Sequence, residues 1–334
     1  MINTKTLTYF PEPVPSITFD DIEDDMKTSS LASSNQSTSS LFDPLDAAKT
    51  MENIFEEFLE IDGRRFMNDS TLKCCMPSDS KEAERLYGLH CVYRMLWGNN
   101  FSSPLEEELS LGAKVLDVGC GSGSWVLNMA SSYPLSTFVG IDIAPLFYGD
   151  CPVNTAFFQC NVFDGLPFPD NTFDFVRQGF LIVCIDWETW KDKVVKELIR
   201  VTKPGGYIEI MDVDYPFFQP GNIAQKFNNC VIHFSDAGIN TNSSENISKV
   251  FSGHRNVTIV KQEEKILYYD SRIGTISLKY EMKGFESMKI FMMPLLGITD
   301  DEFSQLLVDL AKELRICKST RHFYRLIVKK KSRF

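Results

Sequence analysis

Along this 334-residue chain the spacing of apolar positions changes character near residue 111. Before that point the period is helical. Ile54, Phe55, Phe58 and Leu59 fall on one face and predict a helix over 51–61. After the Gly63-Arg64-Arg65-Phe66 turn, Asp79 and Glu82 form a capping-box pattern just past Pro77. A second helix then runs through Ala83, Leu86, Tyr87, His90, Cys91 and Met95, with Gly98 as its stop. His90 lies on that apolar face, where a packed histidine and a catalytic one are the two readings.

From Leu111 the rhythm becomes strand, helix, strand. Apolar runs at 114–118, 137–142, 156–159, 173–176 and 207–211 predict five short strands. Between them come amphipathic stretches, one with Trp125, Val126, Met129 and Ala130, another with Val194, Val195, Leu198 and Ile199 that stops at Lys203-Pro204-Gly205-Gly206. Strands alternating with helices imply an α/β fold, with a mostly parallel sheet covered on both faces and right-handed crossovers. The last third is less regular. A helix is marked by Ile223, Phe227, Val231 and Phe234. Runs at 257–260 and 266–269 are strand-like, and a Met- and Phe-rich stretch covers 282–293. A helix opened by a Thr299/Glu302 capping box follows, and 322–328 reads as a final strand.

Residues 1–45 show no such period. Pro11, Pro13 and Pro15 precede an acidic cluster (Asp20, Asp21, Glu23, Asp24, Asp25) and a Ser/Thr-rich tract, a composition expected to stay disordered. It reads as a regulatory tail able to engage a partner protein, or as a solvated extension. The chain thus divides into a tail (1–45), a helical N-terminal subdomain (46–110) and a ligand-binding domain (111–334) with insertions on the substrate side in 215–300.

Composition narrows the function. The net charge of −11 gives no general attraction to nucleic acid or to an anionic membrane. The nine cysteines include no C-x-x-C pair, so no zinc or redox motif is expected and a reducing compartment is the simple reading. No signal peptide or membrane span is apparent, and a cytoplasmic protein is expected. Lys329-Lys330-Lys331-Ser332-Arg333 reads either as a nuclear-import signal or as the charged end of the last strand.

The chemistry gathers at 115–125, Val-Leu-Asp-Val-Gly-Cys-Gly-Ser-Gly-Ser-Trp. A strand, a glycine turn and a helix start make a cradle where main chain can touch a ligand. A dinucleotide fingerprint needs a third glycine at 124, where Ser124 stands, so a nicotinamide cofactor is disfavoured. Asp117 at the strand's end would repel a pyrophosphate and suits an ammonium or sulfonium. Open parallel sheets bind ligands beyond the carboxyl ends of their strands. Asp142, ending the second strand, can therefore accept two ribose hydroxyls. Asn161 and the Val162 amide follow the third strand at the next strand end, with Asp164 as a rival. Gln178 follows the fourth, either facing the ligand or serving as a plain loop residue. Asp212, Asp214, Glu209 and His233 stand near the rim as acids or bases without a paired motif, and none is assigned.

This succession resembles the class I S-adenosylmethionine (SAM) methyltransferases. Motif I (D/E-x-G-x-G-x-G), Asp142, Leu-Pro-Phe-Pro-Asp-Asn-Thr-Phe-Asp-Phe from Leu166 and Lys203-Pro204-Gly205-Gly206 follow in family order over roughly residues 60–215. Gly63-Arg64-Arg65-Phe66, the Cys75-Met76-Pro77-Ser78-Asp79 string and Asp186-Trp187 are similar to the fungal LaeA-like group. Cys74, Met76 and Ser78 depart from that group's usual aromatic followed by Leu-Pro-Asn-Asp. The resemblance implies a Rossmann-like methyltransferase fold with an antiparallel last strand and SAM as cofactor. It implies cofactor contacts from Asp117, Gly119, Cys120, Gly121, Gly123, Asp142, Ile143, Asn161, Val162 and Gln178. The expected activity is methyl transfer to a small molecule or, second, a protein, with no metal. The alternative is a regulator of secondary metabolism or development that keeps the fold and binds SAM with little turnover. The 282–293 stretch is then either an apolar substrate wall or a packing helix.

Overall fold

A computed structural model describes residues 58–69, 76–147, 151–236, 238, 241 and 243–332. The tail expected over 1–45 and most of the 51–61 helix lie outside these residues. The described end of that helix is strand instead. β1 (Phe58–Ile61) and β2 (Arg64–Met67) form an antiparallel hairpin. Asp62 and Gly63 both hold positive φ, 52° and 66°, the pairing that a two-residue hairpin turn requires. This Asp-Gly signal outweighs the helical spacing of Phe58 and Leu59.

α1 (Ser80–Trp97) follows the expectation: the Asp79 side chain accepts from Glu82 N at its start, and Gly98 at φ 75° ends it. After α2 (Glu106–Leu111) the alternation begins: β3 (Lys114–Val118), α3 (Ser124–Ser132), β4 (Thr137–Asp142), β5 (Thr155–Gln159) and β6 (Phe173–Gly179). A π-helical stretch, Trp190–Val194, leads into α4 (Val195–Val201) and β7 (Thr202–Val213). The last third holds α5 (Asn222–Asp236), α6 (Ser243–Ser252), β8 (Val257–Tyr268), α7 (Arg272–Ser287), α8 (Lys289–Leu296), α9 (Asp300–Ile316) and β9 (Thr320–Lys330).

Seven strands make one sheet in the order β5-β4-β3-β6-β7-β9-β8. β3 to β7 are parallel, and β9 inserts antiparallel between β7 and β8. The last strand therefore runs against the sheet, as the resemblance implies. The two strand-like runs at 257–260 and 266–269 are the ends of one strand, β8.

Alternation along the strands builds two cores. Leu116, Val118, Ile208 and Ile210 pack against α4 and Phe251 of α6. Val115, Phe138, Phe175 and Tyr207 pack against Leu109 of α2 and Trp125, Val126 and Met129 of α3. Each fully buried side chain of this size contributes about 1.5–3 kcal/mol. A third core joins α1, α5, α7, α8 and α9 to Met211, Val213 and Phe323 at the strand tips. That helical layer roofs the end of the sheet where strand order reverses beside β3. No described helix is long and apolar enough to cross a membrane.

Candidate functional site

β3 delivers Asp117 to the sheet's end, and the chain turns at once through Gly119, Gly121 and Gly123, at φ 72°, 55° and 77°. These values favour glycine at all three positions. The amides of Gly119 and Cys120 donate to Ile141 O at 2.9 and 3.0 Å, tying the turn to the tip of β4. A Cβ at Gly121 would stand 3.0 Å from Leu86 of α1. The third glycine serves packing: a Cβ at Gly123 would stand 2.7 Å from the Phe157 ring. Gly123, expected at the ligand, does not line the cavity described below.

Asp142, at the end of β4, accepts from Gly121 N at 2.8 Å through Oδ2 and from Ala144 N at 2.9 Å through Oδ1. Each oxygen keeps a second lone pair for a ligand hydroxyl. Burial pushes this carboxyl above its ordinary value, against the pull of the two amides. Asp117 is buried, and its Oδ1 accepts from Arg177 Nη1 at 2.7 Å. Its Oδ2, equally buried, has no partner among the described residues. Burial raises the Asp117 pKa, and Arg177 opposes the rise.

Asn161 caps the short turn Val162–Asp164 by accepting from Phe163 N at 3.0 Å, while its amide donates to Asp69 Oδ2 at 3.2 Å. Its side chain thus shapes the loop that presents Val162. Its rival Asp164 lies outside the lining. Gln178 is a correction. It is fully buried and accepts from Trp190 Nε1 at 3.0 Å, on the sheet face away from the cavity. Alternation along β6 gives the cavity to its neighbour Arg177, which pairs opposite Asp117 in the β3–β6 register.

These groups meet at one cavity of about 400 Å³. Asp117, Gly119, Cys120, Gly121, Asp142, Ile143, Asn161 and Val162 line its sheet side. One face of α1 supplies the opposite wall through Arg85, Leu86, Leu89, His90 and Tyr93, residues at helical spacing. Tyr93 stacks on Phe180 with ring centroids 4.4 Å apart, and Phe285, Met288 and Met292 close the far end. Part of the 282–293 stretch is therefore a cavity wall. Two ion pairs stand in that wall, Arg85 with Glu82 at 2.6 Å and Arg321 with Glu281 at 3.3 Å.

Residues 115–206 match the family model described as a methyltransferase domain. The stretch from β3 to the start of β7 is thus similar to a methyltransferase domain. "Methyltransferase str3" of Strobilurus tenacellus is 30% identical over 145 residues, 42% of this chain and 48% of that one. "Methyltransferase pytC" of Aspergillus terreus (strain NIH 2624 / FGSC A1156) is 29% identical over 157 residues, 45% of each chain. "Secondary metabolism regulator laeA" of Coprinopsis cinerea is 27% identical over 162 residues, 47% of this chain and 39% of that one. The matched segments span less than half the length of these curated relatives.

None of the four rim residues read as acids or bases lines the cavity. Glu209 accepts from the amides of Ser102 and Ser103 at 2.9 and 2.8 Å. Asp214 holds Ser244 through its amide and hydroxyl at 3.0 and 2.6 Å. Asp212 accepts from Val213 N at 2.9 Å and Ile182 N at 3.3 Å, and burial raises its pKa to about 7. His233 is exposed. His90, by contrast, lines the cavity, and its Nε2 has no partner among the described residues. Burial and two neighbouring guanidiniums, Arg177 and Arg94, lower its pKa to about 3, so the ring is neutral at pH 7. Its placement on the lining face of α1 was open from the helical period; Arg177 required the strand register.

Proposed function

We propose that the protein is a SAM-dependent methyltransferase whose acceptor is a small, largely apolar molecule. The observation that carries this reading is one cavity with a cofactor end and an apolar end. At the first stand a buried carboxylate oxygen without a partner (Asp117), bare main chain at Gly119 and Gly121, and a carboxylate at the β4 tip (Asp142). These fit a cationic sulfur nucleoside. Asp142 would hold the ribose hydroxyls, Asp117 the ammonium, and Ile143 and Val162 the adenine. When bound, SAM supplies an electrophilic methyl on a sulfonium, which needs no metal for in-line transfer.

The chain's part is to bind, align and exclude water. Leu86, packed toward Gly121, and Tyr93, stacked on Phe180, place α1 over both ends of the cavity. Fixing donor and acceptor in line can supply several kcal/mol of the barrier, about 7–11 at the favourable limit. The ionic groups of the apolar end are already paired, Arg85 with Glu82 and Arg321 with Glu281, which supports an uncharged acceptor. Neutral His90 offers an unpartnered ring nitrogen to an acceptor hydroxyl.

A regulatory role in secondary metabolism is the second reading, favoured by the match to the Coprinopsis regulator. Incubation with methyl-labelled SAM and a metabolite extract separates the two. Label in an extract component is the expected result. SAM binding with no labelled acceptor would favour the regulator, and absence of SAM binding would overturn both.

A further inference from the structure

We propose that Arg85, Tyr93 and Tyr215 form a hydrogen-bonding cluster that selects an uncharged methyl acceptor through its carbonyl oxygen. The inference rests on the SAM reading above and names the acceptor class for the apolar end of the same cavity.

All three line the cavity, and each is fixed in place. Arg85 of α1 is held by Glu82 through two bonds, Nε to Oε2 at 2.7 Å and Nη2 to Oε1 at 2.6 Å. Its Nη1 has no partner among the described residues and lies beside Gly284 of α7, where a Cβ would stand 3.3 Å away. Tyr93, about two turns further along α1, packs on both Phe180 and Phe323, with ring centroids at 4.4 and 5.1 Å. Tyr215 is tied by its main chain: its amide donates to Thr241 O at 3.0 Å, and its carbonyl accepts from Arg321 Nη1. Neither phenol hydroxyl has a partner among the described residues. Burial pushes both phenols above their ordinary value, so they keep their protons. The three groups lie within electrostatic reach of one another.

What the cluster wants is an acceptor. The carboxylates beside it are filled, Glu82 by Arg85 and Glu281 by Arg321, Tyr269 and Ser277. Each balances one guanidinium, so the cluster offers donors without net charge. Largely buried donors left open cost free energy that a ligand oxygen recovers. A carbonyl oxygen brings two lone pairs and no charge. Phe285 and Met288, which follow Gly284 in the chain, give the rest of such a molecule an apolar wall. A site built this way rejects an analogue lacking the oxygen, because its donors then stay buried and unpaired.

Calorimetric titration of the full chain tests this, first with S-adenosylhomocysteine and then, once loaded, with three matched probes. The first, para-hydroxyacetophenone, carries a carbonyl; para-ethylphenol has a methylene in its place, and para-hydroxybenzoate a carboxylate. The carbonyl probe should bind about tenfold more tightly than either of the others. R85K, which keeps a cation beside Glu82 and loses the fork, should abolish that preference. Y93F and Y215F, which remove only a hydroxyl, should each reduce it by about 2–5-fold, and they serve if R85K fails to fold. A parent that binds para-ethylphenol as tightly, prefers para-hydroxybenzoate, or binds none of the three while binding S-adenosylhomocysteine would overturn the proposal and leave the cofactor reading standing. Equal weakening of the carbonyl and methylene probes in every variant would mean a plain wall and would also overturn it. Failure of the parent to bind S-adenosylhomocysteine would bring down the cofactor reading and the proposal with it.

Discussion

Asp142 ties the glycine turn and lines the cavity with one carboxylate. Its oxygens bond the amides of Gly121 and Ala144, so they fix the glycine turn as well as facing the cavity. Asp142→Ala is therefore expected to weaken S-adenosylhomocysteine binding at least about tenfold and to cost on the order of 1–3 kcal/mol of stability. Calorimetry and denaturant titration read the two effects, and parent-like affinity would remove Asp142 from the site. Asp142→Asn, which keeps one acceptor oxygen, should lose less of both. Gly121→Val places a branched side chain at φ 55°, with its Cβ 3.0 Å from Leu86. Binding should disappear, and an unchanged affinity would show that the ligand does not touch this turn. Asp212 gives a pH signature. Burial raises its folded pKa to about 7, well above the ordinary carboxylate range, so the folded state holds the proton more tightly than the unfolded chain. Its contribution is fully present below the unfolded value and is lost as pH rises through about 7. Asp212→Asn should flatten that decline and melt higher than the parent at pH 8; parallel melting curves from pH 4 to 8 would contradict it. At this scale Asp117, Gly119, Gly121 and Asp142 were legible in the sequence, because glycine conformation and strand-end position are local. Gln178 was misread because which of two adjacent residues faces the cavity depends on strand register. The neighbours that set it, β3 and β7, lie far away in sequence.

Among the elements, α1 walls the cavity opposite the glycine turn, and the N-terminal hairpin anchors it. Arg64 grips Asp79 with two bonds, 2.6 Å from Nε and 3.0 Å from Nη2, while Asp79 also caps α1 by accepting from Glu82 N at 3.0 Å. Arg65 Nε donates to Ser78 O at 2.7 Å beside it. Asp79→Ala removes the cap and the fork together, and should cost about 1–3 kcal/mol with a lower melting temperature. A stability equal to the parent's would show that the hairpin does not hold the helix. Burial pushes the Asp79 carboxyl up, but the bonds from Arg64 and the Glu82 amide outweigh it and its pKa is lowered. This support is present above the unfolded carboxyl value and fades as pH falls below it. The N-cap and the glycine stop of α1 were readable because both are local chemistry, whereas Glu82, expected to close a capping box, turns its carboxylate to Arg85 instead. β8 appeared as two fragments because Lys261-Gln262-Glu263-Glu264-Lys265 interrupts its apolar run. Among the described residues it is an edge strand paired with β9, and its solvated edge tolerates charge.

Over the whole molecule, a parallel sheet supplies polar groups from strand tips and a helical layer supplies an apolar roof, with the cavity between them. The first half was legible because its strands and turns repeat a local pattern. The second was less so, since the roof draws on α1, α5, α7 and α8 from opposite ends of the chain, brought together only by folding. A cavity shared by both layers should couple binding to stability. Saturating cofactor product at about 100 times its Kd should add roughly 2.7 kcal/mol. The most direct measurement of the central claim is calorimetric titration of the full chain with S-adenosylhomocysteine beside NADH. One-to-one binding of S-adenosylhomocysteine with no heat from NADH is the expected result. Binding of NADH with none of S-adenosylhomocysteine would contradict the account.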